Sequence, residues 1–441
     1  KNFSLFLKSA IKNMTLSNNQ NKIKNQKPIF FSFFSYTNKK KALLGKYESE
    51  YWKGLKKKQN YNWVHLFSYS PYYKNSKEVS LCVKNINKKT KLNNHFFLND
   101  YLNIRIIFKS SLKIFEIFFS VLILNYRINQ NKNIKFNKNL IIFKYLLEDL
   151  ISLNLFKNIL LFYTFEKFFN YNNINSKIIY CMENQPWEKI LLYFINKKRN
   201  DNKKLSTKTY GVIVSSLRYW DLRFMNFLSD KIKFNGYFNP DYILSNGEFT
   251  SKILQDNGFS KSNIVKAETL RHFDLLNEKK FRFEKNKKVK RILVLSDYDE
   301  TSNKFFEKLI KSFINDKNTF IYLKCHTLKP LKISQKNLKI INHLNEIKKI
   351  NCAIVSDTTT AAIDIYYKGI IPYVYIKKDN FDFSPLYKFI KYPTFSSIEN
   401  LKEQINIQTN ESSNVISKKY LNKSYFKINK KYSVWKQILE S

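Results

Sequence analysis

The order of hydrophobic and polar residues predicts a chain of alternating strands and helices. Short aromatic runs at 29–36 (IFFSFFSY) and 62–70 (NWVHLFSYS) predict two strands. The segment KYESEYWKGLKKKQ (46–59) between them predicts a helix. The Asn- and Lys-rich stretch 76–94 shows no apolar period, so it predicts a loop.

Two longer segments, 104–126 and 139–170, have a helical apolar period. The most apolar run, Ile114–Tyr126, contains Glu116 and is too short to span a bilayer, so it predicts a buried helix. The pattern then predicts a strand at 177–182, a helix at 187–196, a strand at 210–215, a short strand at 242–245 and a helix that ends near Gly258.

The second half alternates strands and helices in the rhythm of a doubly wound parallel sheet. Strands are predicted at 291–296, 319–324, 338–341, 352–356 and 371–376, and helices at 301–315 and 358–368. Ligands bind to such sheets in the crevice beyond the carboxyl ends of the strands. The residues that directly follow each strand are therefore the candidates for a site.

The composition adds a strong positive charge to this picture. The 441 residues include 78 Lys and Arg against 34 Asp and Glu, a formal charge of +44, and only eight of the cations are Arg. An aromatic fraction of 17% is typical of a packed protein and excludes a disordered basic tail as a description of the whole chain. The excess of Lys over Arg indicates drift over most of the surface, and the remainder indicates attraction to anions such as acidic lipid or nucleic acid.

Cysteine spacing and missing motifs exclude several classes of protein. Cys82, Cys181, Cys325 and Cys352 form no cluster of metal-site spacing, which predicts reduced thiols in a cytosolic protein. No signal peptide, GxGxxG, Walker A, HExxH or GxSxG pattern is visible. Dinucleotide oxidoreductases, P-loop NTPases, zincins and α/β-hydrolases lose support accordingly.

The segment SDTTT (356–360) is the strongest local signal for a site. It follows a predicted buried strand and opens a helix, so its hydroxyls and backbone N–H groups suit a phosphate. Ordinary helix capping by Ser356 or Asp357 is the alternative. Asp364, one turn after Thr360, either accepts hydrogen bonds from a ribose or faces solvent.

Two other strand ends carry titratable groups. His326, in the segment KCHT after a predicted strand, can donate to a phosphate or titrate near neutral pH, although a histidine also reaches such a position by chance. Glu183 and Glu188 flank Pro186 after the strand KIIYCM and can supply a general base. An acidic helix N-terminus is the alternative for this pair.

Arginines follow a further predicted strand. Arg218 and Arg223 lie in SSLRYWDLRF and can clamp a carboxylate or phosphate, or instead pair with Asp221 and nearby Glu residues. Arg271, in ETLRH, is a third candidate cation.

A series of segments carries a resemblance to a known family. They are KYESEYWKGL, YNWVHLFSY, YCMENQPWEKIL, SSLRYWDLRF, FNPDYILSNGEFTSKIL, ETLRH, YLKCHTLKP and SDTTTAAIDIYYKG. Together they resemble bacterial surface-carbohydrate (O-antigen or capsule) biosynthesis proteins, which are similar to distant GT-B glycosyltransferases near the Kdo and sialic-acid-type polysaccharide transferases. The resemblance covers about residues 40–390.

The resemblance implies an α/β fold with two Rossmann-like domains whose parallel sheets face a central cleft. The expected N-terminal, acceptor-side domain is 1–275 with a helical insertion at about 76–170, and 276–290 is the expected linker. Residues 291–395 would bind the nucleotide sugar, and 396–441 would form a helical tail that packs back on the N-terminal domain.

The activity that the resemblance implies is transfer of a sugar from a nucleotide-sugar donor to a surface polysaccharide or lipid-linked glycan. The donor enters as a substrate, with CMP activation as one option, and neither a cofactor nor a metal is expected. Glu183, His326 and Arg218 would be catalytic. The donor-binding residues would be Ser356, Thr358, Thr359, Thr360, Asp364, Lys324, Arg271, Asp221 and Glu188. The expected location is the cytoplasm, with peripheral contact to an anionic inner membrane.

Three alternatives stay open. A CDP-polyol phosphotransferase of teichoic-acid type would share the fold, and a non-catalytic GT-B scaffold would bind nucleotide without turnover. A basic nucleic-acid-binding protein is a different class, and the absence of zinc-finger and RNP1-like patterns speaks against it. Nucleic acid is therefore not an expected partner.

Overall fold

A computed structural model describes most of the chain. It covers residues 27–440 apart from 56–60, 69, 71, 91–93, 131–143, 145–147, 149–151, 203–205, 227–237, 278, 284–289, 327–328 and 411–423, together with residues 4, 7, 8, 10, 11, 14, 22 and 23. The chain divides into two compact units. One comprises Lys1–Val212 with Leu228–Ile243, and the other comprises Ile213–Phe227 with Leu244–Ser441.

A seven-stranded sheet organises the first half of the chain. Its strands are β1 (Ile29–Phe33), β2 (Asn62–Leu66), β3 (Asn94–Phe97), β4 (Ile178–Cys181), β5 (Thr209–Val212), β6 (Tyr242–Ser245) and β7 (Ile264–Lys266). They lie in the order β3-β2-β1-β4-β5-β6-β7, and β1 pairs in parallel with both β2 and β4. The central strands are almost entirely apolar because a parallel sheet is covered on both faces.

The helices of this half are α1 (Lys39–Leu43), α2 (Ser76–Lys89), α3 (Ile104–Gln130), α4 (Leu153–Tyr171), α5 (Pro186–Asp201) and α6 (Glu248–Asp256). The prediction of a loop at 76–94 is wrong, since α2 and β3 occupy it. The Asn75 side chain caps α2 by accepting from the Glu78 N–H, and Val79, Val83 and Ile86 bury one face. The apolar residues of α2 are interrupted by Lys, Asn and Ser, which obscured this period in the sequence.

The predicted helix at 46–59 is also wrong over the described residues 46–55, which form turns. Tyr51 and Trp52 are buried, and the Trp52 indole N–H donates to the Ser32 hydroxyl at 3.0 Å.

Helices α3 and α4 pack against each other through a cluster that includes Ile106, Ile107, Ile114, Phe156 and Ile159. The predicted helix at 139–170 is seen from residue 153 onward, and most of its first part lies outside the described residues. The prediction that the run Ile114–Tyr126 is buried is wrong for most of its side chains, which are exposed. Among the described helices, none is long and apolar enough to cross a membrane.

A second sheet follows in the C-terminal half. The strands are β8 (Arg282–Phe283), β9 (Lys290–Leu295), β10 (Thr319–Lys324), β11 (Leu338–Ile341), β12 (Lys349–Ile350), β13 (Cys352–Ser356), β14 (Tyr373–Tyr375) and β15 (Thr394–Phe395). Six of them form a parallel sheet in the order β11-β10-β9-β13-β14-β15, while β8 and β12 pair separately. The helices are α7 (Glu300–Lys311), α8 (Ala361–Tyr367), α9 (Ile398–Asn410) and α10 (Ser433–Glu440).

Apolar side chains fill both sides of this second sheet. One buried cluster includes Leu293, Val355 and Ile365, and another includes Val294, Phe306 and Ile354. Successive residues of β9 and β13 thus enter opposite clusters, as the alternation of side chains along a strand requires. The expected fold class, α/β with two Rossmann-like parallel sheets flanked by helices, is confirmed.

The two compact units divide at positions other than the expected linker at 276–290. Residues 213–227 and 244–275 group with the second unit, and the C-terminal segment ties them there. The Trp435 indole donates to the Glu268 carbonyl at 2.7 Å, and the Lys427 N–H donates to the Asn246 carbonyl at 2.7 Å. At Gly247, a Cβ atom would lie 2.2 Å from the carbonyl oxygen of Tyr425, so only glycine allows this approach.

Candidate functional site

A cavity of about 360 Å³ opens at the carboxyl ends of three neighbouring strands of the second sheet, β9, β10 and β13. The lining residues are Arg218, Leu295, Ser296, Asp297, Tyr298, Lys324, Cys325, His326, Thr358, Thr359, Thr360, Ala361 and Asp364. Seven of the twelve predicted site residues therefore surround one space. They are Arg218, Lys324, His326, Thr358, Thr359, Thr360 and Asp364.

The SDTTT segment forms a loop between β13 and α8. The helix begins at Ala361, three residues later than predicted, and neither Ser356 nor Asp357 caps it. The Thr359 N–H donates to the Ser356 carbonyl at 3.4 Å, and the Ala361 N–H donates to the Thr359 hydroxyl oxygen at 3.4 Å. The three threonine side chains consequently line the cavity from a turn rather than from a helix.

Asp297 is the residue of this site that the sequence reasoning missed. It follows β9 and is buried, and its carboxylate accepts hydrogen bonds from the hydroxyls of Ser356 and Thr358. The Tyr298 N–H also donates to it, at 2.6 Å. Its position directly after the strand RILVLS was the signal that could have identified it, because the same strand-end rule selected His326.

The contacts of Asp297 define what Ser356 does. The Ser356 side chain is fully buried, and its hydroxyl is directed to the carboxylate of Asp297. The buried Ser356 hydroxyl therefore anchors the loop to Asp297, whereas the side chains of Thr359 and Thr360 are more accessible. The expectation that Ser356 holds the donor phosphate is not supported by this geometry.

His326 lines the cavity from the segment that follows β10. Its backbone N–H donates to the Ser296 hydroxyl oxygen at 2.7 Å, and its ring packs edge-on against Tyr298 at 5.6 Å between centroids. Burial lowers the pKa of His326, and the Lys324 charge acts in the same direction while Asp297 opposes it. The lowered pKa favours the neutral imidazole, which can donate or accept a hydrogen bond.

The two arginines after β5 have different surroundings. The Arg218 guanidinium donates to the backbone carbonyl of Thr358 and lines the cavity. Arg223 instead forms a two-point ion pair with Asp221, at 2.9 and 2.7 Å. Of the two interpretations that the sequence left open, the position of Arg218 suits a clamp on a phosphate or carboxylate. Arg223 forms the local ion pair with Asp221. The Asp221 carboxylate also accepts from the backbone N–H of Arg223. Asp221 is not among the residues that line the cavity.

Cationic and acidic side chains both line the cavity. Arg218 and Lys324 are the cations, and Asp297 and Asp364 supply two carboxylates. The Asp297 carboxylate accepts from the hydroxyls of Ser356 and Thr358. Within the SDTTT loop, burial raises the pKa of Asp357 to about 6, and the neighbouring carboxylates of Asp382 and Asp297 raise it further. Asp357 is buried and is not among the residues that line the cavity.

Glu183 and Glu188 belong to the other compact unit, around the carboxyl end of β4. Glu183 is half-buried, and its carboxylate accepts from the Gln185 amide at 2.7 Å and the Tyr51 hydroxyl at 3.4 Å. Glu188 is buried, and its carboxylate accepts from the N–H groups of Glu183, Asn184 and Gln185 at 2.9–3.0 Å. This capping arrangement at the start of α5 matches the alternative interpretation, an acidic helix N-terminus. It leaves the Glu188 carboxylate little capacity to bind a nucleotide-sugar donor.

Removing the Glu188 side chain is expected to destabilise the protein strongly. Glu188→Ala leaves three half-buried N–H groups without their acceptor, at a cost of about 3 kcal/mol in the free energy of unfolding. Urea denaturation measures this change. Glu248→Ala is the matched control, because Glu248 lies in the first turn of α6 but is exposed and forms an ion pair with Lys266. A cost of about 1 kcal/mol or less is expected there. An equally small cost for Glu188→Ala would contradict the capping role.

Arg271 lies in the turn after β7 and is half-buried. It is not among the residues that line the cavity. Over the described part of the chain, no three His, Cys, Asp or Glu side chains group as ligands for a metal ion. The four cysteines are free thiols, three of them buried and Cys325 half-buried.

Comparison with known proteins gives structural likenesses at low identity. No protein-family model matches the chain, and no curated protein matches its sequence. Among solved structures, a UDP-GlcNAc 2-epimerase from Neisseria meningitidis bound to UDP-GlcNAc is 9% identical with a TM-score of 0.46, over 95% of this chain and 100% of that one. A lipopolysaccharide outer core galactosyltransferase and a calicheamicin glycosyltransferase are each 8% identical with a TM-score of 0.42, over 88% of this chain and 91% of theirs. Likenesses of this size assign no activity, so function has to be argued from the cavity.

Proposed function

We propose that this protein transfers a glycosyl group from a nucleotide-sugar donor to a hydroxyl of a glycan acceptor. One observation carries the proposal: two cationic side chains, an imidazole and three threonine hydroxyls surround one cavity at the carboxyl ends of parallel strands. The carboxylates of Asp297 and Asp364 lie beside them. Its volume of about 360 Å³ is within the range of small-molecule sites.

The chemistry of the lining matches the parts of such a donor. Arg218 and Lys324 offer charge to phosphate oxygens, and Thr359 and Thr360 offer hydroxyl donors. Asp364 is suited to accept hydrogen bonds from ribose hydroxyls. Asp297 keeps the Thr358 side chain turned toward the sheet and so holds the loop in one conformation.

In the proposed reaction, the acceptor hydroxyl attacks the anomeric carbon of the sugar. A bond forms between that oxygen and the anomeric carbon while the bond from the carbon to the phosphate oxygen breaks, and the electron pair leaves on the phosphate. Arg218 and His326 stabilise the charge that develops on the leaving group. Glu183 is the proposed base for the acceptor proton, because it is half-buried and follows a parallel strand.

The acceptor that we propose is a surface polysaccharide or a lipid-linked precursor of one. A CDP-polyol phosphotransferase would use the same phosphate-binding groups, so turnover of CDP-glycerol or CDP-ribitol is a necessary comparison. A non-catalytic scaffold would bind nucleotide and turn over none of these compounds.

A nucleotide-sugar screen tests the proposal. Isothermal titration with CMP-, UDP-, GDP- and dTDP-sugars is expected to show binding of at least one, and Thr359→Ala should weaken it about 5- to 10-fold through loss of one hydrogen bond. Thr394→Ala, an exposed threonine on β15, is the control and should bind as the parent does. The proposal fails if none of the donors binds, or if Thr359→Ala and His326→Ala both leave binding and turnover unchanged.

A further inference from the structure

Helix α3 exposes a stripe of large apolar side chains along one side. Ile104, Phe108, Phe119 and Tyr126 are each 60–64% exposed, although large apolar side chains are normally buried. The stripe consists of Ile104, Phe108, Leu112, Phe115, Phe119, Leu122 and Tyr126, all at least 40% exposed. An exposed apolar patch of this extent marks an interaction surface.

The spacing of the stripe shows that it is a second, separate face of the helix. Its members lie three or four residues apart, so they project from one side of α3 over more than five turns. The opposite side carries Ile106, Ile107 and Ile114, which pack into the core with α4. The helix therefore already has its partner within the fold, and the stripe faces outward.

Charged side chains form a band along one edge of the stripe. Arg105, Lys109, Lys113 and Arg127 lie on this band, with Glu116 among them. Lys109 pairs with Glu166, and Lys113 pairs with Glu116. The band retains a positive balance, and its long side chains flank the aromatic and aliphatic residues.

We propose that the α3 stripe docks on an anionic membrane surface, with α3 lying in the plane of the interface. Phe, Leu and Ile side chains on one face and cationic side chains beside them are the combination that inserts at the boundary of headgroups and acyl chains. The formal charge of +44 supplies attraction to anionic lipid over the whole protein. The proposal is independent of the transfer reaction and of the nucleotide site.

Charge decides between a membrane and a second copy of this chain. The three- and four-residue spacing would also suit a partner helix. Two chains of +44 repel each other, and in an antiparallel pair Arg105 would approach Arg127 of the other copy. An anionic bilayer removes that repulsion and buries the same side chains.

Vesicle sedimentation tests the proposal with the full chain. Vesicles of phosphatidylcholine with about 30% phosphatidylglycerol should bind the protein, and pure phosphatidylcholine vesicles should bind it much less. Phe108→Ser/Phe119→Ser should weaken binding to the anionic vesicles at least about tenfold at physiological ionic strength. The matched control is Leu44→Ser/Leu81→Ser, which removes two exposed leucines elsewhere in the same compact unit and should bind like the parent.

Other results would overturn the proposal. Equal binding by both double variants would show that net charge alone attracts the protein. A concentration-dependent mass in analytical ultracentrifugation that only Phe108→Ser/Phe119→Ser abolishes would identify a second copy as the occupant. A fall in thermal midpoint as large as that of a core substitution would mean that the stripe is covered within the chain. Nucleotide binding is measured separately and has no bearing on these results.

Discussion

Replacing Glu183 with Gln is expected to lower the rate of sugar transfer by about 10²- to 10⁴-fold, because the amide cannot accept the acceptor proton. The affinity for the donor should be unchanged, since Glu183 is not among the residues that line the nucleotide cavity. Gln retains the shape of the side chain and one acceptor oxygen, which serves either the Tyr51 or the Gln185 donor, because the two bind different oxygens of Glu183. Product formation at saturating donor and acceptor measures the effect.

Glu50→Gln serves as the control for this substitution. Glu50 is an exposed carboxylate that pairs with Lys53, so its loss should change neither stability nor turnover appreciably. If Glu183→Gln turns over as fast as Glu50→Gln, Glu183 is not the base. A loss of donor affinity in Glu183→Gln would instead point to a binding function.

Replacing Arg218 with Ala is expected to weaken nucleotide-sugar binding by about 10- to 100-fold, which is the contribution of a charge-assisted hydrogen bond to phosphate. Arg218 both faces the cavity and holds the Thr358 carbonyl, so its loss removes a phosphate partner and loosens the threonine loop. Isothermal titration with the donor found in the screen measures the affinity. Arg218→Lys should recover part of it, because the charge remains while the forked geometry is lost.

Arg223→Ala is the matched control from the same segment. Arg223 is exposed and pairs with Asp221, so its removal should leave donor affinity within about twofold. Equal losses in the two variants would mean that positive charge in this region acts at long range. Unchanged affinity in Arg218→Ala would remove Arg218 from the site.

Most of the second sheet could be predicted from the sequence because five of its six strands are short, isolated apolar runs; the two-residue strand β15 was not predicted. The predicted strands 319–324, 338–341 and 352–356 coincide with β10, β11 and β13. In contrast, α2 was hidden because Lys and Asn dominate its exposed positions and obscure the period of the core-facing residues. For α3 the error was the reverse: the apolar run Ile114–Tyr126 predicted a buried helix, but most of its side chains are exposed, and the sequence does not distinguish exposed apolar residues from buried ones.

The site was predictable in part for a similar reason. The rule that ligands lie beyond the carboxyl ends of parallel strands selected Lys324, His326 and the threonines, which share one cavity. The contact between Arg218 and Thr358 joins residues 140 positions apart, and no local pattern reports it. Glu188 was misleading because a carboxylate that caps a helix and one that binds a ligand occupy the same position after a strand.

The attachment of the C-terminal segment to residues 246–268 has a consequence for synthesis. The second unit takes in residues 213–227, continues from 244, and is completed by the tail that contains Tyr425 and Trp435. Domains generally fold as units when their residues have emerged from the ribosome. Residues 213–275 therefore lack their final partners until the segment that contains Tyr425 and Trp435 has been translated.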